Sequence, residues 1–87
     1  MITLHSEKFQ KLIENSAKLR AEHKYIAAIF LIEELLSEME SDCLLNAYLE
    51  IIYAAIEFGD EEKLKQYIPK LRAIDSEIPV VKKYNQY

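Results

Sequence analysis

The chain has 87 residues and a mass of 10.2 kDa, the size of one small domain and too short for two cores. With 51% hydrophobic and 30% charged residues, one Gly, two Pro and no Trp, it lies outside the disordered, collagen-like and linker-rich classes. The formal charge of −4 conceals a strong asymmetry: residues 25–62 contain ten acidic and no basic side chains, while both flanks are net basic. Residues 25–42 hold Glu33, Glu34, Glu38, Glu40 and Asp42, and residues 43–62 hold Glu50, Glu57, Asp60, Glu61 and Glu62. An acidic centre repels phosphate, so nucleic acid is not an expected partner. Two uses of the charge are open: the basic flanks fold back and neutralise the middle, or the middle meets a basic partner.

In chain order, Phe9, Leu12, Ile13, Ala17 and Leu19 recur at three- and four-residue steps and predict a helix over 6–22, capped by Ser6 and carrying a Glu14/Lys18 pair on its outer face. A second helix over 25–39 is apolar over most of its circumference, with Glu33, Glu34, Ser37 and Glu38 as a narrow polar arc. Extending that arc back reaches Ile26, Ala27 and Phe30, which are exposed unless another helix covers them and otherwise form a partner or dimer surface. A third helix over 42–58, started by Ser41 and Asp42 and ended at Gly59, has only Asn46, Glu50, Tyr53 and Glu57 as its polar stripe, so it is expected at the centre of the fold. Asp60 caps a fourth helix over 61–75, in which Pro69 predicts a kink. A short helical turn over 79–84 follows, and the tail beyond is expected to fray.

The predicted fold class is therefore all-α: two antiparallel helical hairpins and a short C-terminal turn. A shift of 36 residues superposes Ile32 on Ile68, Leu35 on Leu71, and the turn His23-Lys24 on Gly59-Asp60. With the run His23-Lys24-Tyr25-Ile26-Ala27-Ala28, and Ser16 and Ala28 at the small positions of the two helices, the chain resembles tetratricopeptide repeats over residues 9–75. The second unit departs from that pattern, with Ile52 and Leu64 at its small positions. The resemblance implies a right-handed stack whose first helices line a groove for a peptide or helix of another protein. Carried over residue by residue, that groove holds Gln10, Ile13, Ala17, Arg20 and Ala21, then Asn46, Leu49, Tyr53, Ile56 and Glu57. Ile13 and Ala17 stand where some members carry residues that clamp a carboxy-terminal tail, so that role is not implied. Leu49 and Ile56 are equally readable as plain core.

Catalytic and cofactor chemistry is not expected. His5, His23 and Cys43 are scattered over three elements, too few and too far apart for a zinc site. Adjacent acids such as Glu33-Glu34 point about 100° apart on a helix, and one glycine cannot build a phosphate loop. Cys43, placed in the first turn of the third helix, reads as a small buried hydrophobe. One cysteine makes no internal disulfide, and the first residues show no basic leader, so a cytoplasmic setting is expected. The longest apolar run, Tyr25 to Ile32, falls well short of the roughly 20 residues that span a bilayer. Together these features predict a small non-enzymatic protein that binds one protein partner, either basic or presenting a helix. An inhibitor or immunity-type protein that neutralises a basic partner is the leading expectation. A secretion-type chaperone or a homo-oligomeric structural module is the alternative. Two repeats also fall short of a self-sufficient stack, and a homodimer or heterodimer would complete it. Within that reading Glu33, Glu34 and Glu50 belong with Ile26, Ala27 and Phe30 as contact residues.

Overall fold

Ser6 sets where the first helix begins: its hydroxyl accepts from the Phe9 amide at 3.2 Å and satisfies one of the donors that a helix start leaves open. In the computed structural model, which describes residues 1–87, α1 (Glu7–Ala21) and α2 (Tyr25–Glu33) form one hairpin. The second consists of α3 (Leu44–Phe58) and α4 (Glu61–Ile74), and α5 (Pro79–Lys83) closes the chain. There are no strands. α3 packs against α1, α2 and α4 and contributes Ala47, Ile51, Ile52, Ala54 and Ala55 to the core, as its thin polar stripe requires.

Both hairpins turn by the same device. The Asp60 amide reaches the Ala55 carbonyl at 2.8 Å and the Gly59 amide reaches Ile56, with Gly59 left-handed at φ 81°. The Lys24 amide likewise reaches Leu19 at 2.8 Å and the His23 amide reaches Arg20, with His23 left-handed at φ 63°. These are the paired bonds that close a helix through a left-handed residue, a conformation that suits glycine far better than histidine. The internal superposition of His23-Lys24 on Gly59-Asp60 therefore corresponds to one backbone geometry. Inside the first hairpin, Ser16 and Ala28 allow close approach: the buried Ser16 hydroxyl donates to the Ala28 carbonyl at 3.1 Å. Asp60 caps α4 by accepting from the Lys63 amide at 3.1 Å.

Several sequence expectations are corrected. α2 stops at Glu33, followed by a single 3-10 turn (Leu36–Glu38) and an extended Met39, instead of running to 39. Its last turn carries no basic residue and is followed by acids, the wrong charge for a helix C-terminus. Ile2, moreover, draws the backbone away. Its amide donates to the Glu38 carbonyl and its carbonyl accepts from the Glu40 amide, both at 2.7 Å, in an isolated parallel bridge that buries Ile2 and Met39. A second 3-10 turn (Ser41–Cys43) delays α3 to Leu44, and neither Ser41 nor Asp42 caps it. α4 includes Pro69, which lies exposed, so the carbonyl it leaves without a donor can bond to water. The surface pair on α1 is Glu7 with Lys11 at 3.7 Å, not Glu14 with Lys18. The tail is docked: the Arg72 Nη1 donates to the Tyr87 carbonyl at 2.7 Å, and the Tyr87 ring stacks on Tyr84 with centroids 6.4 Å apart.

Candidate functional site

α1 and α3 lie side by side and line one face of the molecule with the residues assigned to the groove. At one end Phe9, Gln10, Ile13, Asn46, Leu49 and Glu50 surround an open cleft of about 180 Å³. Phe9 is buried beneath it, Ile13 and Leu49 are half-buried, and Gln10 and Asn46 are exposed. The Gln10 amide donates to the Leu4 carbonyl at 3.3 Å, whereas the Asn46 carboxamide makes no hydrogen bond within the chain. Leu49 is thus both core neighbour and cleft lining.

The other end of the groove is filled by the protein's own charges. Arg20 Nη1 lies 3.4 Å from both carboxylate oxygens of Glu50, its Nε lies 3.4 Å from Glu57, and its guanidinium sits 5.5 Å from the centre of the Tyr53 ring. Arg20 and Glu50 are largely covered, so each depends on the other; an unpaired charge there is far costlier than one in water. Beyond it Tyr53 and Ile56, with Ile78, Pro79 and Val80 at the start of α5, line a separate open cavity of about 330 Å³. Of the carried-over positions, Ala17 is half-buried and Ala21 exposed.

A third acid is neutralised across the hairpins. Glu33 accepts from Lys63 Nζ at 2.7 Å and from the Tyr67 hydroxyl at 2.6 Å. Burial, the hydrogen bond to Glu33 and that carboxylate's charge all push the Tyr67 hydroxyl's pKa up. The basic flanks thus fold back onto Glu33, Glu50 and Glu57. Lys65, Lys70 and Arg72 do not join them: Lys70 lies 5.5 Å from the Tyr67 ring centre, and Arg72 holds the tail. The bend between α2 and α3 is different, because Glu34, Glu38, Glu40 and Asp42 are all exposed and none forms an ion pair.

No helix covers the outer side of α2. Ile26 is 69% and Phe30 59% exposed, and Ala27 between them is exposed too. Phe58, at the end of α3, extends this apolar surface at 49% exposure, its ring 5.7 Å from that of Tyr25. The His23 ring meets Tyr25, its Nδ1 2.8 Å from the Tyr25 hydroxyl. Phe58 was not legible as part of this surface, because only the packing of α2 on α3 carries it there. Comparison with family models, curated proteins and solved structures returns no match.

Cys43 lies in the 3-10 turn ahead of α3 and not in its first helical turn. It is fully buried and its Sγ donates to the Ile2 carbonyl at 3.4 Å. Burial, then the neighbouring Asp42 and Glu40, push the thiol up to about 11, so it is neutral at physiological pH. No three His, Cys, Asp or Glu side chains gather where a metal ion could sit, and no helix is long and apolar enough to cross a membrane.

Proposed function

We propose that the chain is a non-enzymatic protein-binding module of the inhibitor or immunity type, which holds a segment of a basic protein in the open end of the α1–α3 groove. The observation that carries this reading is the cleft between Gln10, Ile13, Asn46 and Leu49, an apolar floor with an amide left unpaired at its rim. Asp42 precedes Asn46 by four residues on the stretch leading into α3, and Glu38 and Glu40 precede it on the same bend. Four acids without an intramolecular partner give a long-range attraction for a basic chain, acting chiefly on association rate. The likeness to tetratricopeptide hairpins supports the same face, through the Ser16 and Ala28 contact and the matching turns at His23 and Gly59.

Capture of partners from cells that carry this chain tests the reading when wild type is compared with Asn46→Arg. Asn46 is exposed, so the substitution leaves folding intact while adding bulk and positive charge to the cleft. A basic protein retained by wild type, lost with Asn46→Arg and kept by Phe30→Glu is the expected result. A captured partner that ignores Asn46→Arg overturns the groove assignment, and an acidic one overturns the charge argument.

A further inference from the structure

We infer that the outer side of α2 is the interface of a homodimer in which two copies of α2 pack antiparallel about a twofold axis crossing between Ala27 and Phe30. The exposed stripe of α2 starts at His23 and Lys24, runs through Ile26, Ala27 and Phe30, and ends at Glu34. It is apolar in the middle and oppositely charged at its two ends, about 15 Å apart at 1.5 Å per residue. A uniformly basic partner laid along this stripe gains at Glu34 and loses at Lys24. A second copy laid antiparallel gains at both ends, because Lys24 of each then comes within one residue's rise, about 1.5 Å, of the level of Glu34 of the other. Glu34 has no ion-pair partner, and Lys24 would exchange its exposed contact with Glu22, at 3.4 Å, for the one across the axis.

The same axis pairs residues of complementary size. Positions 27 and 30 lie equally far from it, so the Phe30 ring of one copy lands on Ala27 of the other, where a methyl side chain leaves room. Beside Ala27 the surface is depressed by about 460 Å³ between Phe30, Tyr25 and Phe58, open enough to receive a phenyl ring. Ridge and hollow thus lie on one self-complementary patch, which is what twofold association demands. Because α2 has only nine residues, the contact falls toward the small end of specific interfaces, and the dimer forms reversibly at micromolar concentration. The interface lies apart from the groove and does not rest on the reading proposed for it.

Sedimentation equilibrium of the full chain from about 5 to about 500 μM measures the association. Wild type is expected to form dimers and no larger species. Phe30→Glu is expected to raise the dissociation constant about 30-fold or more, the effect of removing a central aromatic anchor, while the thermal melt of dilute protein is unchanged. Lys24→Glu and Glu34→Lys are each expected to weaken the dimer about fivefold, since each places like charges together at two symmetric points. Combined in one chain they restore it, because each copy again offers one charge of each sign. A chain monomeric throughout that range overturns the inference and leaves the face to a foreign partner. A dimer that survives Phe30→Glu moves the interface elsewhere, and a double variant no tighter than either single one rules out antiparallel pairing.

Discussion

Residues 25–42 and 43–62 have the same sequence charge, five acids and no base each, yet the fold uses them in opposite ways. In the second stretch Glu50 and Glu57 are held by Arg20, Asp60 caps α4, Glu61 and Glu62 lie in the first turn of α4, and Glu61 also accepts from the Tyr87 hydroxyl at 3.4 Å. In the first stretch only Glu33 is paired, and four acids along the bend after α2 face solvent alone. Acids on α3 and α4 lie on helices flanked by basic neighbours, so packing brings a counter-charge within reach. The bend is held by the backbone bridge between Ile2 and Met39, and no cation lies within ion-pair distance of its acids. Equal charge in a sequence therefore says little about which acids remain for a partner.

The sharpest probe of that boundary is Cys43, which lies at the seam between the two stretches. Its thiol is raised from 9.0 to about 11 by burial first and by Asp42 and Glu40 next. The folded protein thus holds this proton more tightly than the unfolded chain. The stabilisation is complete below pH 9 and is lost as pH rises through 11, by about 3 kcal/mol for two pH units. Urea unfolding of wild type and Cys43→Ala between pH 8 and 11 should show the wild type losing about 2 kcal/mol relative to the variant, the part of that total reached by pH 11. Parallel curves would mean that the thiol ionises freely.

Adjacent glutamates give a contrast of similar size. Glu33→Ala strands the buried Tyr67 hydroxyl and the half-covered Lys63 ammonium and should cost about 2 to 3 kcal/mol, whereas Glu34→Ala should stay within about 0.5 kcal/mol. Equal effects in chemical denaturation would erase the distinction between the paired and the free acids. Smaller again is Arg20→Ala, expected to cost about 1 to 2 kcal/mol because Glu50 loses its partner in a largely covered position. Changing Glu50 to Gln in that background should recover part of the loss, which a packing role for Arg20 alone would not allow.

The smallest effect on stability belongs to the bend. Glu38→Gln, Glu40→Gln and Asp42→Asn combined should leave the unfolding free energy within about 0.5 kcal/mol. The same triple variant should slow association with a basic partner severalfold at low salt, and the difference should vanish near 1 M salt, where the Debye length is about 3 Å. A clear drop in melting temperature would instead assign these acids a structural task.

The four main helices, the central place of α3, the caps at Ser6 and Asp60 and the left-handed turn at Gly59 were all legible in the residue pattern, because periodicity and capping are local properties of a chain. The same pattern identified the side of α2 that stays exposed, since the polar arc continues geometrically through Ile26, Ala27 and Phe30. That α2 ends at Glu33 has a local share, the acids that follow it, and a distant one, the pairing of Ile2 with Glu38 and Glu40 that periodicity could not reveal. The tertiary structure alone decided that Arg20 serves Glu50 and Glu57 while Lys63 serves Glu33, pairs 30 or more residues apart whose meeting depends on how one hairpin packs on the other. It also tied down a tail that the sequence left frayed, through Arg72 on α4, fifteen residues before the Tyr87 carbonyl it holds. Helices are written in neighbouring residues; counter-ions, helix ends held from afar and the final packing of the termini are set by distances that only the folded chain defines.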